Sequence, residues 1–275
     1  MLSTNFFIKW IDPKKLDWFN ILKNPNGLSY IHHNMNQRVV LSKYEYSILC
    51  DNINADFLLH DKLNHINWNI LSKNPGAINI LSNQYKLNGG KAFNWYYLSM
   101  NPEAIHIISD DIMRDNNNIV WETLSSNSKA IHLIEKEIKK NGFNKINLSW
   151  LCHNTNASHI ISENIDKLKP SDWCKLSMNP GAIFLLEKYP QNINFNLLCM
   201  NPSPRAIPLI ESNIKLLTDW DYISDNPNAM HIIERNLDHV NWSIMSRNLK
   251  AIDILKNNMN KIDYHELSKN PAIFL

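Results

Sequence analysis

The chain has 275 residues, a formal charge of +2, 44% hydrophobic and 20% charged residues, which is apolar enough for a sizeable core and excludes global disorder. The near-neutral charge argues against a dedicated phosphate-backbone binder, and six glycines are too few for a chain built on glycine-rich phosphate loops. No apolar run approaches the ~20 residues of a membrane span, and the opening MLSTNFFIKWIDPKK lacks the order of a signal peptide, so a non-secreted protein of the cell interior is expected.

Asparagine is the anomaly, at 42 residues, with 35 isoleucines beside it. Both are encoded by AT-rich codons, so much of this bias is genomic rather than chemical. Residues 1–15 read as a lead-in or cap, and 16–275 as one repeat domain. Within it, phrases such as INWNILSKNPGAINIL, FNWYYLSMNPEAIHII and SDWCKLSMNPGAIFLL recur around Asn24, Asn52, Asn74, Asn101, Asn127, Asn154, Asn179, Asn201, Asn226, Asn248 and Asn270. The basic period is 22 residues, and most copies run 22 to 27. Longer copies carry insertions with loop chemistry, LNGGK at Gly89–Gly90, DNNN at Asp115–Asn118 and NGFN at Asn141–Asn144.

Each copy predicts two short helices. The first starts at an aromatic six residues before the anchor: Trp18, Tyr46, Trp68, Trp95, Trp121, Trp173, Phe195, Trp220, Trp242 and Tyr264, with Leu148 the exception. A Leu, Ile or Met three residues on and a small residue four on, usually serine, share its face. The aromatics are expected to be buried, and the small residue to admit a neighbouring backbone. Asn-Pro then ends one helix and starts the next, because the residue before proline avoids the α region and Asn is a strong N-cap. Where proline is missing, after Asn127, Asn154 and Asn248, and at Asn201, where PSPRAI inserts two residues, a less sharp start is expected. The second helix buries an Ala-Ile-x-apolar-apolar stretch, as in Ala77, Ile78, Ile80 and Leu81. Helices this short do not hold alone. The expected fold is therefore all-α: a two-layer α-solenoid of about eleven helix-turn-helix repeats, roughly 100 Å long at typical interhelix spacing.

LSKNPGAI, LSMNPEAIHII, LSMNPGAIFLLE and the opening KWIDPKKLDW resemble the short Trp/Leu-Ser-x-Asn-Pro-x-Ala-Ile helical repeat proteins of amoeba-infecting giant DNA viruses, the mimivirus relatives. The resemblance covers about 250 residues. It implies a viral origin and a place in the host cytoplasm or the virion, and it implies no activity.

Chemical motifs are sparse. No HExxH, G-x-S-x-G, P-loop or dinucleotide fingerprint is present, so no catalytic residues, metal or cofactor are expected. Cys50, Cys152 and Cys199 fill the small-residue slot and read as buried thiols, and Cys174 as a partly exposed one. His106, His132, His159 and His231 fall five residues after their anchors. They predict a polar column on the second helix; a metal ladder is the rival, which the ~10 Å repeat spacing opposes. Glu135, Glu187, Glu211 and Glu234 read as solvated or capping, since they recur from copy to copy, and not as a catalytic pair.

The positions two and five after the aromatic vary from copy to copy and include Tyr97, Met100, Trp150, His153, Met178, Met200 and Tyr222. Aromatic and Met side chains of this kind are favoured at interfaces. These residues are the candidate partner-binding strip; packing against a neighbouring helix is the bland alternative. The expected function is a non-enzymatic scaffold for a protein or peptide, with a structural virion component or a nucleic-acid-binding array as alternatives. Nucleic acid is disfavoured by the strip's mixed charge. The last copy holds only Ala-Ile-Phe-Leu after Asn270-Pro271, so an uncovered apolar end is expected, either plugged by Phe274 and Leu275 or docked on another copy or a partner.

Overall fold

A computed structural model describes residues 6–36 and 40–274. The chain is all-helical, with 62% helix and no strand among the described residues. The copies repeat one local plan. In the third, Asn67 caps the first helix, Trp68–Lys73, by accepting from the Ile70 N–H, and Asn74 takes over in an extended conformation (ψ 112°). A single 3-10 turn, Pro75–Ala77, leads into the second helix, Ile78–Asn88. No helix runs through an Asn-Pro step: Trp95–Met100 stops before Asn101, and Pro170–Met178 before Asn179.

The anchor asparagines are buried. Each does more than cap. In the fourth copy Asn101 Oδ1 accepts from the Glu103 N–H at 3.0 Å, while Nδ2 donates to the carbonyls of Ser72 and Asn74, both at 3.1 Å, in the preceding copy. Asn52, Asn74, Asn127, Asn154, Asn179, Asn226 and Asn270 each reach back to two carbonyls in the same way. The bond to the residue two ahead forms with or without proline: Asn127 to Lys129, Asn154 to Asn156 and Asn248 to Lys250, at 2.9 to 3.1 Å. The same bond forms at Asn201, to Ser203 at 3.0 Å. The starts themselves differ: a 3-10 turn, Ser128–Ala130, follows Asn127 without proline, none follows Asn154 or Asn248, and after Asn201 the second helix begins only at Ala206, so the expected loosening is found in part. Proline alone does not decide it, since Asn226-Pro227 also lacks the 3-10 turn.

The small-residue slot makes a second tie. Ser72 Oγ donates to the Trp68 carbonyl and accepts from the Asn94 N–H of the next copy. Ser99, Ser125, Ser177, Ser224 and Ser246 do likewise. A hydroxyl, with one proton and two lone pairs, serves both ends. Cys50, Cys152 and Cys199 sit buried in the same slot, and all four thiols are free. Burial pushes the thiols of Cys152 and Cys199 up to about 12.

Close approach between copies explains two glycines. A Cβ on Gly76 would stand 1.6 Å from the Ile53 carbonyl oxygen, and one on Gly181 2.0 Å from that of Thr155. Where the slot holds Asn instead, at Asn54 and Asn228, its amide donates to the facing carbonyl at 2.9 Å.

The aromatic column is less covered than expected. Tyr46 and Trp173 are buried, whereas Trp68, Trp95, Trp121, Trp220 and Trp242 are half-buried against the core. The faces of two of these rings are used from outside, by Lys145 over Trp121 and Lys261 over Trp242.

The ends of the repeat region meet. Asn24 of the first copy donates to the Ser268 carbonyl of the eleventh at 3.0 Å, and the Asp17 N–H donates to Ser268 Oγ at 2.7 Å. Asn26 Nδ2 donates to the Pro271 carbonyl at 2.9 Å, as Asn54 does to Pro25. Bonds of these kinds join other neighbouring pairs, as Asn52 to the Asn24 carbonyl, the Asn94 N–H to Ser72 and Asn54 to Pro25, so the first copy meets the eleventh much as the second meets the first. Outside this, the Ile8 N–H donates to the Ile273 carbonyl at 3.0 Å, and Phe7 forms an isolated bridge with Phe274, ring centroids 4.9 Å apart. An open array with ends about 100 Å apart is excluded by these bonds. The expected bare end is also corrected: Leu255 and Ile273 are fully buried, and Phe274 packs on the lead-in. Leu275 lies outside the described residues, as do residues 1–5 of the lead-in.

Candidate interaction face

First helices of neighbouring copies pack directly on one another, Trp68–Lys73 on Trp95–Met100 and that helix on Trp121–Leu124. The second helices rest largely on the adjacent copy's turn, as Ile78–Asn88 does on Pro102–Ala104. The solvent-facing sides of the first helices carry the candidate residues.

Among the central copies, the fourth and sixth supply one aromatic cluster, bridged by Glu122 of the fifth. Tyr97 is 37% exposed, and Tyr96 beside it 42%. Trp150 is half-buried; its Nε1–H donates to Glu122 Oε1 at 3.2 Å, and its ring stands edge-on to Tyr96 at 6.2 Å. His153 lies exposed against Trp150, ring centroids 6.1 Å apart. Partial desolvation, with the Lys175 ammonium nearby, pushes its pKa below the usual histidine value. Met100 and Met178 are half-buried. Beneath them, Ser149 joins Asp172 and Lys175 in a tight hydrogen-bonded group. Burial opposes ionisation of Asp172, but bonds from Ser149 and the Lys169 N–H, and the charge of Lys175, hold its carboxyl below the usual range.

The position two after the aromatic is not uniformly outward. Thr123 is fully buried and donates to the Tyr96 carbonyl at 3.0 Å, and Asn20 donates to the His265 carbonyl, also at 3.0 Å. Packing against the preceding first helix claims that position where the side chain is small or polar. The position one after the aromatic is exposed at Asn69, Tyr96, Glu122 and His265 and half-buried at others such as Ser149 and Asp221. Its outward direction follows from helix phase, yet its mixed residue types gave no repeat signal.

Toward the C-terminal side, Met200, 49% exposed, and half-buried Tyr222 line a groove of about 290 Å³ with Pro202, Ile244, Asp219 and Asp221. Tyr97, Met100, Trp150, His153 and Met178 are not in this groove. Several cations of the same face are paired: Lys73 with Asp51 at 3.0 Å, Arg247 with Asp225 at 3.0 Å and Glu266 at 3.3 Å.

On the second helices the histidine column bonds across copies. His106 pairs with Ser82, His159 with Glu135 and His231 with Glu211, at 2.8 to 2.9 Å. Glu187 similarly takes a two-pronged bond from Arg205. These glutamates tie the copies together rather than standing alone in solvent. Among the described residues no three His, Cys, Asp or Glu side chains are placed to hold one metal ion, and no helix is long and apolar enough to cross a membrane. No family model matches the chain, and neither a curated protein nor a solved structure matches it.

Proposed function

We propose that the chain is a closed two-layer α-solenoid of eleven helix-turn-helix copies, with the tightly packed first helices as its inner layer. On this reading it is a non-enzymatic scaffold that binds a protein or peptide through the first-helix face. The observation that carries the binding role is the exposure of Tyr96, Tyr97 and Met200, side chains of the type that anchors interfaces, on a face where Lys73 and Arg247 are already paired. The same pairing disfavours a nucleic-acid array, which needs free basic groups along its strip. The motifs that resemble giant-virus repeat proteins favour a viral protein acting in the host cytoplasm or the virion.

The test is a photo-crosslinking side chain placed at Tyr97 in source cells, read by mass spectrometry against the Tyr97→Ser/Trp150→Ser double variant. A discrete protein adduct that disappears in the double variant, with thermal melting unchanged, is expected. If the double variant unfolds, those side chains are core and the face is not a free surface. If it folds and keeps every adduct, this binding role falls.

A further inference from the structure

We propose that the groove between Met200 and Arg247 receives a lysine- or arginine-bearing segment of the protein partner. This rests on the scaffold reading and specifies the chemistry of its partner. The groove's walls are apolar, formed by Met200, Pro202, Tyr222 and Ile244, and three carboxylates, Asp219, Asp221 and Asp225, line it with a single cation, Arg247.

The state of those charges selects the occupant. Arg247 is held between Asp225 and Glu266, so it offers an incoming anion no free charge. Asp219 accepts the Asp221 N–H through Oδ1, and Asp221 accepts the Asn241 amide through Oδ1. The second oxygen of each makes no hydrogen bond among the described residues. A purely apolar ligand would desolvate these oxygens without pairing them, and an anionic one would add repulsion. A lysine or arginine satisfies both walls: its methylene stem lies on Met200 and Ile244 while its head meets the carboxylates. The Tyr222 ring adds an aromatic face to which cations are drawn. The protein uses this pairing internally, with Lys261 4.3 Å from the Trp242 ring centre and Lys15 4.9 Å from that of Tyr264.

The probes are two acetylated, amidated pentapeptides, Leu-Lys-Leu-Lys-Leu and Leu-Glu-Leu-Glu-Leu, titrated into the full chain at low salt and at 0.5 M salt. The lysine peptide is expected to bind at least about tenfold tighter than the glutamate peptide, and less tightly at high salt. Asp219→Asn/Asp221→Asn, which keeps both Oδ1 acceptors, should weaken it about fivefold or more. Because that variant can disturb the fold, a second pair decides independently. Met200→Glu should tighten the lysine peptide and Met200→Lys should weaken it, at an exposed site where neither changes melting. Equal binding of the two peptides, no binding of either, or indifference to the Met200 pair overturns the proposal. The Tyr97→Ser/Trp150→Ser variant separates the two readings. If it alone loses the lysine peptide, the aromatic face stands and the groove assignment falls. If it retains the peptide while the Asp variant loses it, the groove stands without the aromatic cluster.

Discussion

One asparagine amide performs three tasks in eight of the eleven copies, and an amide is the group that can. Asn127 Oδ1 takes the Lys129 N–H, while its NH2 group feeds the carbonyls of Ser99 and Asn101, each at 3.0 Å. A carboxylate would set a negative acceptor against two acceptors. Asn127→Asp is therefore expected to destabilise more than Asn127→Ala, which leaves two buried carbonyls and one N–H unpaired at about 1–3 kcal/mol per group. Urea melts of the pair check the order; an Asp variant as stable as the Ala variant contradicts the clamp. Asp172 carries a pH signature. Its carboxyl sits below the usual range through its bonds to Ser149 and the Lys169 N–H and the charge of Lys175, acting against burial. A depressed carboxyl contributes stability that is complete above its unfolded pKa of about 3.9 and is lost as pH falls through the folded value. Asp172→Asn should flatten the acid limb of a stability profile taken from pH 5 to pH 2.5, leaving less loss of stability at the acid end than in the unsubstituted chain.

At the scale of the helix-turn-helix unit, proline and glycine have different weight. Copies with Ser128, Thr155 or Leu249 after the anchor make the same turn bond as those with proline. Pro102→Ala should thus cost under about 1 kcal/mol, the range of a compatible backbone change. Gly76→Ala drives a methyl into the Ile53 backbone oxygen, which the preceding turn cannot yield without moving, and is expected to cost about 1–3 kcal/mol. Differential scanning calorimetry on both variants should show a large fall in Tm for the glycine change alone. The units themselves were legible in the sequence. The aromatic, the small residue and Asn-Pro sit at fixed offsets, and each acts on its own turn of chain. What escaped was anything two copies do together. Ser72 looks like a space-saver until the Asn94 N–H arrives at its hydroxyl from 22 residues away. Likewise, Thr123 and Tyr97 occupy the same slot, and only the neighbouring helix decides that one is buried and the other exposed.

For the molecule as a whole, the meeting of the first and eleventh copies was invisible because curvature is set by a small angle at each interface. That angle depends on how closely the first helices pack relative to the second, a difference no single copy records. The contact has a measurable result. In an open stack an end position such as Asn24 would face only one neighbour. Here Asn24 donates to Ser268 and lies as buried as the central anchors. Asn24→Ala, which unpairs one carbonyl and one N–H, should therefore cost at least about 2 kcal/mol, somewhat less than Asn127→Ala, which unpairs three groups, at about 1–3 kcal/mol per group. Amide exchange should be as slow at Ser268–Asn270 as at Ser125–Asn127, whereas fraying ends would exchange first. Fast exchange confined to the first and eleventh copies would show that the seam opens readily.

A stack with two free ends can gain or lose one unit and still present the same ends. A stack whose last member stands on its first cannot, because ten or twelve units at the same angle would miss or overrun one another. On the closed-solenoid reading proposed above, the bonds from Asp17, Asn24 and Asn26 to the eleventh copy act as a counting device. They tie the number of units to the angle between them, so tandem duplication of a single unit breaks the seam before it lengthens the protein.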